Sequence, residues 1–342
     1  MSKTFGVTGG AGFIGINFCD RLLSSGQNVV ILDNLSRPGA QKNLHWLAEK
    51  YSDGMKFIEA DISSNHESLG KFSEKCDVIF HLAGQVAVTT SLVDPYRDFQ
   101  VNALGTVNLL EAVRHSSNQP SFVFVSTNKV YGDLQDIKIQ ETEDAYQFID
   151  LPNGVAETRA LDFHSPYGCS KGSADQYVLD YSRSFGLSAM VLRQSCIYGP
   201  RQFGIEDQGW VAWFIIAAVT GRPITLYGNG KQVRDILYIA DLIDLFEVIA
   251  GNVNEYSGEV LNVGGGSEQT VSLLQFLKLL EIILDQEIPI QFGETRMGDQ
   301  PVYISDIRKA EALTGWQPKT SVEEGIRELV SWVVNNRAIF NS

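Results

Sequence analysis

Basic residues are in short supply. The 342-residue chain carries 27 Lys and Arg against 41 Asp and Glu, a formal charge of −14. A duplex nucleic acid or an anionic membrane asks for a net basic surface, so neither is expected as a main partner. An anionic ligand would have to be held by local arginines. Cysteine is also sparse: Cys19, Cys76, Cys169 and Cys196 lie far apart, with no CxxC pair and no histidine cluster at ligand spacing. Neither a metal centre nor a disulfide framework is expected. Long apolar runs are missing too. The longest, Trp210 to Val219, is about ten residues, well short of the roughly twenty that span a bilayer, and it reads as a buried helix. With no apolar signal region ahead of the first strand, the expected location is cytoplasmic.

What is present is a βαβ rhythm. The segments TFGVT, NVVILD, MKFIEAD, DVIFHLAG and SFVFVST read as strands, each followed by an amphipathic stretch, and LSAMVLRQS reads as a sixth after a helix that starts near Pro166. Nearly continuous apolar strands fit a parallel sheet covered by helices on both faces. After about residue 195 the connections become rich in Gly and Pro, with helices expected around 210–220, 240–250, 271–284 and 322–335. VRDILYIADLIDLFEVIA reads as a strand and helix returning to the large sheet. The expected fold class is therefore α/β: a doubly wound parallel sheet with a smaller mixed α/β lobe and a cleft between them. The expected domains are 1–195 plus about 233–260, and about 196–232 plus 261–342.

The first strand runs into Thr8-Gly9-Gly10-Ala11-Gly12-Phe13-Ile14-Gly15 and an amphipathic helix to about Ser25. Glycines at these positions let the backbone approach a pyrophosphate, whose charge then faces the helix N-terminus. A lone match of this kind is weak. Here Asp33 closes the second strand, where a carboxylate accepts from ribose hydroxyls and favours NAD over NADP. Arg37 nearby leaves that choice open. Gly9, Gly12, Phe13, Ile14, Gly15, Asp33, Asn34, Ser36 and Arg37 are the expected first half of an NAD site. Asp61 and Ile62, and Leu82, Ala83 and Gly84, follow the third and fourth strands and are expected to line its adenine and nicotinamide ends.

Tyr167 and Lys171, in SPYGCSKGSADQY, stand four residues apart at a predicted helix start, on one face. A phenol is a poor base at neutral pH; an adjacent ammonium and a nicotinium charge would lower its pKa and let it take a hydroxyl proton while hydride leaves for the cofactor. A YxxxK pair by itself is usually just a helical surface pair. Following a glycine-rich turn and a strand that ends in Ser126-Thr127, it reads as catalytic, with Thr127 as a hydroxyl on the reacting oxygen.

TGGxGFIG, HLAG, STNKVYG, YxxxK and LRQSCIYGPRQ together resemble the extended short-chain dehydrogenases/reductases along nearly the whole chain. That resemblance implies a Rossmann fold, NAD, a catalytic triad of Thr127, Tyr167 and Lys171, a cofactor-side Asn102 in the fourth helix, and self-association as a dimer or tetramer. Members that dehydrate sugars at C6 carry Asp-Glu after the catalytic threonine. This chain has Asn128-Lys129, and neither side chain is a carboxyl acid. About thirty-five residues separate Tyr131 from Tyr167, more than many sugar 4-epimerases have. That segment, with HWLAEK, GQVAVTTS, RQFGIEDQGWVAWF and YGNGKQVRD, closely resembles the CDP-paratose 2-epimerases, also called CDP-tyvelose epimerases.

The resemblance implies redox-neutral inversion at C2 of a CDP-linked 3,6-dideoxyhexose. It places Arg234 and Arg296 at the nucleotide diphosphate, where a guanidinium can chelate two oxygens. Gln85, Asn128, His164, Arg201, Gln208 and Trp210 are expected to line the substrate, although Trp210 reads equally well as core and His164 as structural. Two other readings stay open: a 4-epimerase on another nucleotide sugar, and a cofactor-binding sensor without turnover, whose hallmark would be loss of the tyrosine or lysine.

Overall fold

A computed structural model describes residues 2–295 and 299–340. Its central sheet has seven strands: β1 (Thr4–Thr8), β2 (Asn28–Asp33), β3 (Met55–Glu59), β4 (Val78–His81), β5 (Ser121–Thr127), β6 (Ala189–Gln194) and β7 (Val260–Val263). They lie in the order β7-β6-β5-β4-β1-β2-β3. β1 pairs in parallel with both β2 and β4, β2 with β3, and β4 with β5. The chain thus winds outward from β1 in one direction and from β4 in the other. The switch point falls between β1 and β4, and in open sheets of this kind ligands bind beyond the carboxyl ends of the strands at that point. Gly9 follows one of these strands and Leu82 to Gly84 the other.

Burial explains the apolar strand sequences: β4 and β6 are buried at every position and β2 at all but its first. The helix Phe13–Ser24 turns Ile16, Phe18, Cys19, Leu22 and Leu23 inward. Phe18 lies 4.5 Å from Phe80 of β4 and 5.2 Å from Phe246, ring centre to ring centre, in the tilted and edge-on geometries aromatic rings favour. The expected helices are observed as Trp210–Thr220, Ile239–Gly251, Leu273–Leu284 and Val322–Asn335.

By internal contacts the chain divides into two compact units, the first formed by residues up to Val130, Phe163–Arg193 and Ile243–Leu261, the second by Tyr131–Asp162, Gln194–Leu242 and residues from Asn262 onward. Two segments fall differently from the sequence reading. Residues 131–162 belong to the second unit, because Tyr131 donates to Asn262 Oδ1 at 2.7 Å, Asn262 Nδ2 donates to the Val155 carbonyl at 2.8 Å, and Gln300 donates to the Gly132 carbonyl. The strand Val233–Tyr238 does not return to the large sheet. It pairs in parallel with Cys196–Tyr198 and Val302–Tyr303 and antiparallel with Thr270–Ser272, and the seventh place in the large sheet is taken by β7. No helix among the described residues is long and apolar enough to cross a membrane, and no group of three or more His, Cys, Asp or Glu among them could hold a metal ion.

The helix Ser165–Phe185 is fastened to β6 by a buried ion pair: Arg193 Nε donates to Asp175 Oδ2 at 2.9 Å and Nη2 to Oδ1 at 2.8 Å. The two-point geometry offsets the desolvation of both charges, whereas either one alone would be stranded. Arg193→Met should therefore cost about 3–5 kcal/mol in urea unfolding, and the double replacement Asp175→Leu/Arg193→Met should recover most of it.

Candidate active site

The turn after β1 depends on two glycines. Gly9 has φ of +67°, and a Cβ there would sit 2.8 Å from the Ala83 nitrogen; a Cβ on Gly15 would sit 2.3 Å from the Gly9 carbonyl oxygen. The β1 turn, the first helical turn and the β4 turn can close together only without those side chains. Gly12 caps the helix with an extended backbone, so the amides of Phe13, Ile14 and Gly15 open the helix without intrahelical acceptors. Asp33 ends β2, buried, with Oδ2 accepting from Ala11 N at 3.0 Å and Oδ1 from Leu35 N at 2.8 Å; burial holds its carboxyl above the usual carboxylate range. Asn34 bonds both Ser36 and Asp61. Asp61 accepts from Ser63 and Arg97, and those bonds hold its carboxyl down at about 2 despite the opposing effect of burial. Ile62 is buried beside it. A dinucleotide fits this cradle: a pyrophosphate-sized approach at the glycine turn, a carboxylate at the end of β2, and the Leu82-Ala83-Gly84 turn across the switch point.

That last turn is pinned from beneath. Thr8 Oγ1 lies 2.6 Å from His81 Nδ1 and accepts from the Ala83 amide at 3.3 Å, and His81 Nε2 lies 3.0 Å from Thr106 Oγ1. Burial lowers the His81 pKa to about 3, with the Lys171 charge acting the same way. The imidazole is therefore neutral, clamped between two hydroxyls.

Thr127, Tyr167 and Lys171 come together in the first unit. Thr127 is the last residue of β5, Tyr167 sits in the first turn of the helix Ser165–Phe185, and Lys171 follows one turn on. All three are buried. The helix starts on a constrained entry: Ser165 has φ of +62°, a region unfavourable for non-glycine residues, and its hydroxyl accepts from Gly168 N at 3.2 Å. Ser91 Oγ accepts from the Tyr167 amide, also at 3.2 Å. Lys171 Nζ donates to the Val125 carbonyl at 2.6 Å and rests 4.1 Å over the centre of the Phe124 ring.

Burial dominates the titration of both Tyr167 and Lys171. Burial raises the Tyr167 phenol to about 12, against the hydrogen bond from Thr127, and the charge that lowers it belongs to Arg37. Burial brings Lys171 down to about 7, opposed by Asp175 and Asp98. The chain's own groups thus hold a protonated phenol beside a readily neutralised amine, because desolvation outweighs the attraction expected between them. Arg37, expected at the ribose, acts electrostatically on Tyr167.

Asn102 is not in a regular helix. It lies in a π-turn, Gln100–Leu104, between the helices Pro95–Phe99 and Gly105–His115. Such one-turn bulges recur at functional sites because they re-aim one side chain. Its Oδ1 accepts from Gln85 N at 2.9 Å, and its Nδ2 reaches the Gln85 carbonyl at 3.0 Å, Ser170 Oγ at 3.1 Å and Asp98 Oδ1 at 3.2 Å. The Gln85 side chain is engaged with Ala87 and Asp98, so it holds its own loop rather than presenting its amide. Asn128 is buried next to Thr127 and accepts from its hydroxyl at 3.3 Å. His164, exposed, is the residue before the helix and does not cap it with its side chain.

The remaining expected substrate residues belong to the second unit. Arg234 lies on the strand Val233–Tyr238 with its guanidinium bonded to Asp299 and to the Val233 carbonyl. Arg201 adopts φ of +70°. Gln208 closes a small loop by exchanging backbone bonds with Ile205. Trp210 packs in the core, 5.0 Å from the Phe276 ring centre and 5.7 Å from that of Phe214, with its indole N–H buried and without a protein acceptor. Arg296 lies outside the described residues. Sequence reasoning missed Ser91, Asp98 and Ser170, because nothing in a lone Asp or Ser on a helix announces that it faces inward.

The sequence matches the GDP-mannose 4,6 dehydratase family over residues 7–329. The chain belongs to that family. It is 45% identical to a CDP-paratose 2-epimerase from Salmonella typhi, over 95% of this chain and 98% of the relative, and 34% identical to a UDP-glucose 4-epimerase from Mycolicibacterium smegmatis, over 96% and 98%. Among solved structures, the UDP-glucuronic acid 4-epimerase from Bacillus cereus in complex with UDP-glucuronic acid and NAD superposes with a TM-score of 0.84 at 29% identity, covering 97% of this chain and 99% of that one.

The lowered His81 pKa has a measurable consequence. A group held neutral in the folded state binds its proton more readily when unfolded, so its contribution to stability is full above the unfolded value near 6.5 and is lost as the pH falls toward about 3. Between pH 7 and pH 5 this group alone should cost the fold about 2 kcal/mol. The difference in urea unfolding between the parent and His81→Gln should shrink by that amount over the same interval.

Proposed function

We propose that this enzyme, an NAD-dependent member of the nucleotide-sugar epimerases and dehydratases, inverts C2 of a CDP-linked 3,6-dideoxyhexose and interconverts CDP-paratose and CDP-tyvelose. The observation that carries the reading is that Thr127, Tyr167 and Lys171 are all buried in the first unit, with Thr127 hydrogen-bonded to Tyr167 and Lys171 bound to the Val125 carbonyl of the same strand β5, and with Asn128 and Lys129 where a dehydratase needs carboxyls. The strong likeness to the Salmonella typhi relative along the full chain supports the choice of sugar.

Bound NAD supplies the acceptor and donor of hydride and, when oxidised, a positive ring charge. Tyr167 takes the C2 hydroxyl proton as hydride leaves C2, which gives a 2-keto sugar. Thr127 donates to the same oxygen, and Lys171, while protonated, stabilises the phenolate. Tyr167 then returns the proton after hydride is delivered to the opposite face of C2, so no net redox occurs and atoms balance. The chain's own groups leave the phenol above its ordinary value, burial first among them, and the positive ring charge of a bound oxidised cofactor would favour the phenolate. Asp33 and the Gly9 to Gly15 turn would hold the cofactor. The resemblance to the CDP-paratose 2-epimerases assigns Arg234 to the diphosphate, where its guanidinium would exchange Asp299 for phosphate oxygens, also anionic.

Incubated with CDP-paratose or CDP-tyvelose and no added reductant, the purified protein should equilibrate the two by proton NMR. An unchanged C2 signal with NAD bound rejects the substrate, and inversion at C4 of another nucleotide sugar would put the enzyme with the 4-epimerases instead. Tyr167→Phe should lower kcat by about 100-fold or more while leaving the NAD content intact; a variant of parental rate removes Tyr167 as the base.

A further inference from the structure

Asp98 is buried on the short helix Pro95–Phe99, 1% exposed, and no part of the chemistry above uses it. Three donors from three elements converge on its carboxylate: Gln85 Nε2 at 2.8 Å from the turn after β4, Asn102 Nδ2 at 3.2 Å from the π-turn, and the Ser170 hydroxyl from the helix Ser165–Phe185. A carboxylate is costly to bury: burial raises the pKa of Asp98, and the three hydrogen bonds oppose that rise. Ser170 is the residue before Lys171.

The surroundings of Lys171 make this charge matter. Its hydrogen-bond acceptor is the neutral Val125 carbonyl, and beneath it lies the Phe124 ring. Four titratable groups face the catalytic pair. Asp175, on the same helix, is ion-paired with Arg193 of β6 and still acts on Lys171 in the same direction as Asp98. His81, from β4, is held neutral. Arg37, after β2, acts on Tyr167. Asp98 acts on both Tyr167 and Lys171, and its donors are all uncharged.

We propose that Asp98 is a positioning residue for the catalytic pair: through Ser170 it fixes the helical turn that carries Lys171, and its carboxylate adds to Asp175 a second negative charge in the surroundings of the pair. This rests on the reading of Tyr167 and Lys171 as the reacting pair. The sign follows from charge alone. Loss of the carboxylate favours the deprotonated form of both groups, so both titrate at lower pH and the pair moves as a unit.

The test uses NAD-loaded enzyme. Ultraviolet difference titration of the parent against Tyr167→Phe isolates the Tyr167 phenolate, and the same subtraction in an Asp98→Asn background reads the effect of the charge without any sugar substrate. The expected result is a phenolate midpoint lower by about half a pH unit or more, with the kcat profile on CDP-tyvelose moved the same way and KM nearly unchanged. An unmoved midpoint overturns the proposal. Ser170→Ala keeps the charge but cuts the tether, so kcat should fall about several-fold at a constant midpoint; a rate equal to the parent's overturns the tether even should Asp98→Asn not fold. Undiminished turnover by Tyr167→Phe would instead sink the reading of the pair and leave the titration result standing as a separate measurement.

Discussion

The site depends on a conflict between placement and charge. To hold an amine and a phenol at fixed positions beyond the end of β5, the fold buries both, and burial penalises the ionised form of each. Lys171 is brought down to about 7 and Tyr167 pushed up to about 12, opposite to the arrangement that proton abstraction needs. The surrounding groups read as partial offsets to that penalty: a hydroxyl on Thr127 and the Arg37 guanidinium for the phenol, and a carbonyl, a ring face and the Asp175 and Asp98 carboxylates for the amine.

Holding that conflict still requires rigid surroundings. The β1 and β4 turns meet at contact distances that only glycine permits at positions 9 and 15, and the Thr8, His81 and Thr106 chain locks them from below with a neutral imidazole. The catalytic helix is fixed at three places: by Ser91 on the Tyr167 amide, by Asp98 on Ser170, and by the Asp175 and Arg193 pair farther along. The three anchors come from different elements and differ in chemistry, a hydroxyl, a carboxylate and a buried ion pair. A displacement of the helix would therefore strand at least one buried polar group.

Much of this was legible in the sequence where a residue's reason for being there is local. The glycine turn, Asp33 at a strand end, the spacing of Tyr167 and Lys171 and all six parallel-type strand segments follow from backbone sterics and periodicity, and the observed elements coincide with them. What escaped has a tertiary cause. The strand Val233–Tyr238 is buried along nearly its whole length like a central strand, and only its pairing register shows that it builds the smaller sheet. The π-turn at Gln100–Leu104 leaves no periodic trace. Arg234 reads as a free guanidinium until Asp299, sixty-five residues on, is seen to pair with it.

The same distinction explains why the reaction type is better supported than its substrate. Thr127, Tyr167 and Lys171 carry chemistry generic to hydride and proton transfer, and all three fall in one unit. Choice of base and sugar falls to side chains that can be read only with their partners: Gln85 turned out to brace its own loop, Trp210 to pack in a core, and Arg234 to be neutralised. For Arg234 the pairing is itself informative. A buried guanidinium held by a partly exposed carboxylate can exchange that partner for another anion of matched geometry, whereas one tied to a fully buried acid could not leave it without stranding a charge. Asp299 is the more exposed of the two, with 27% of its side chain accessible against 10% for Arg234. The anion that replaces it would leave a carboxylate free to return to water.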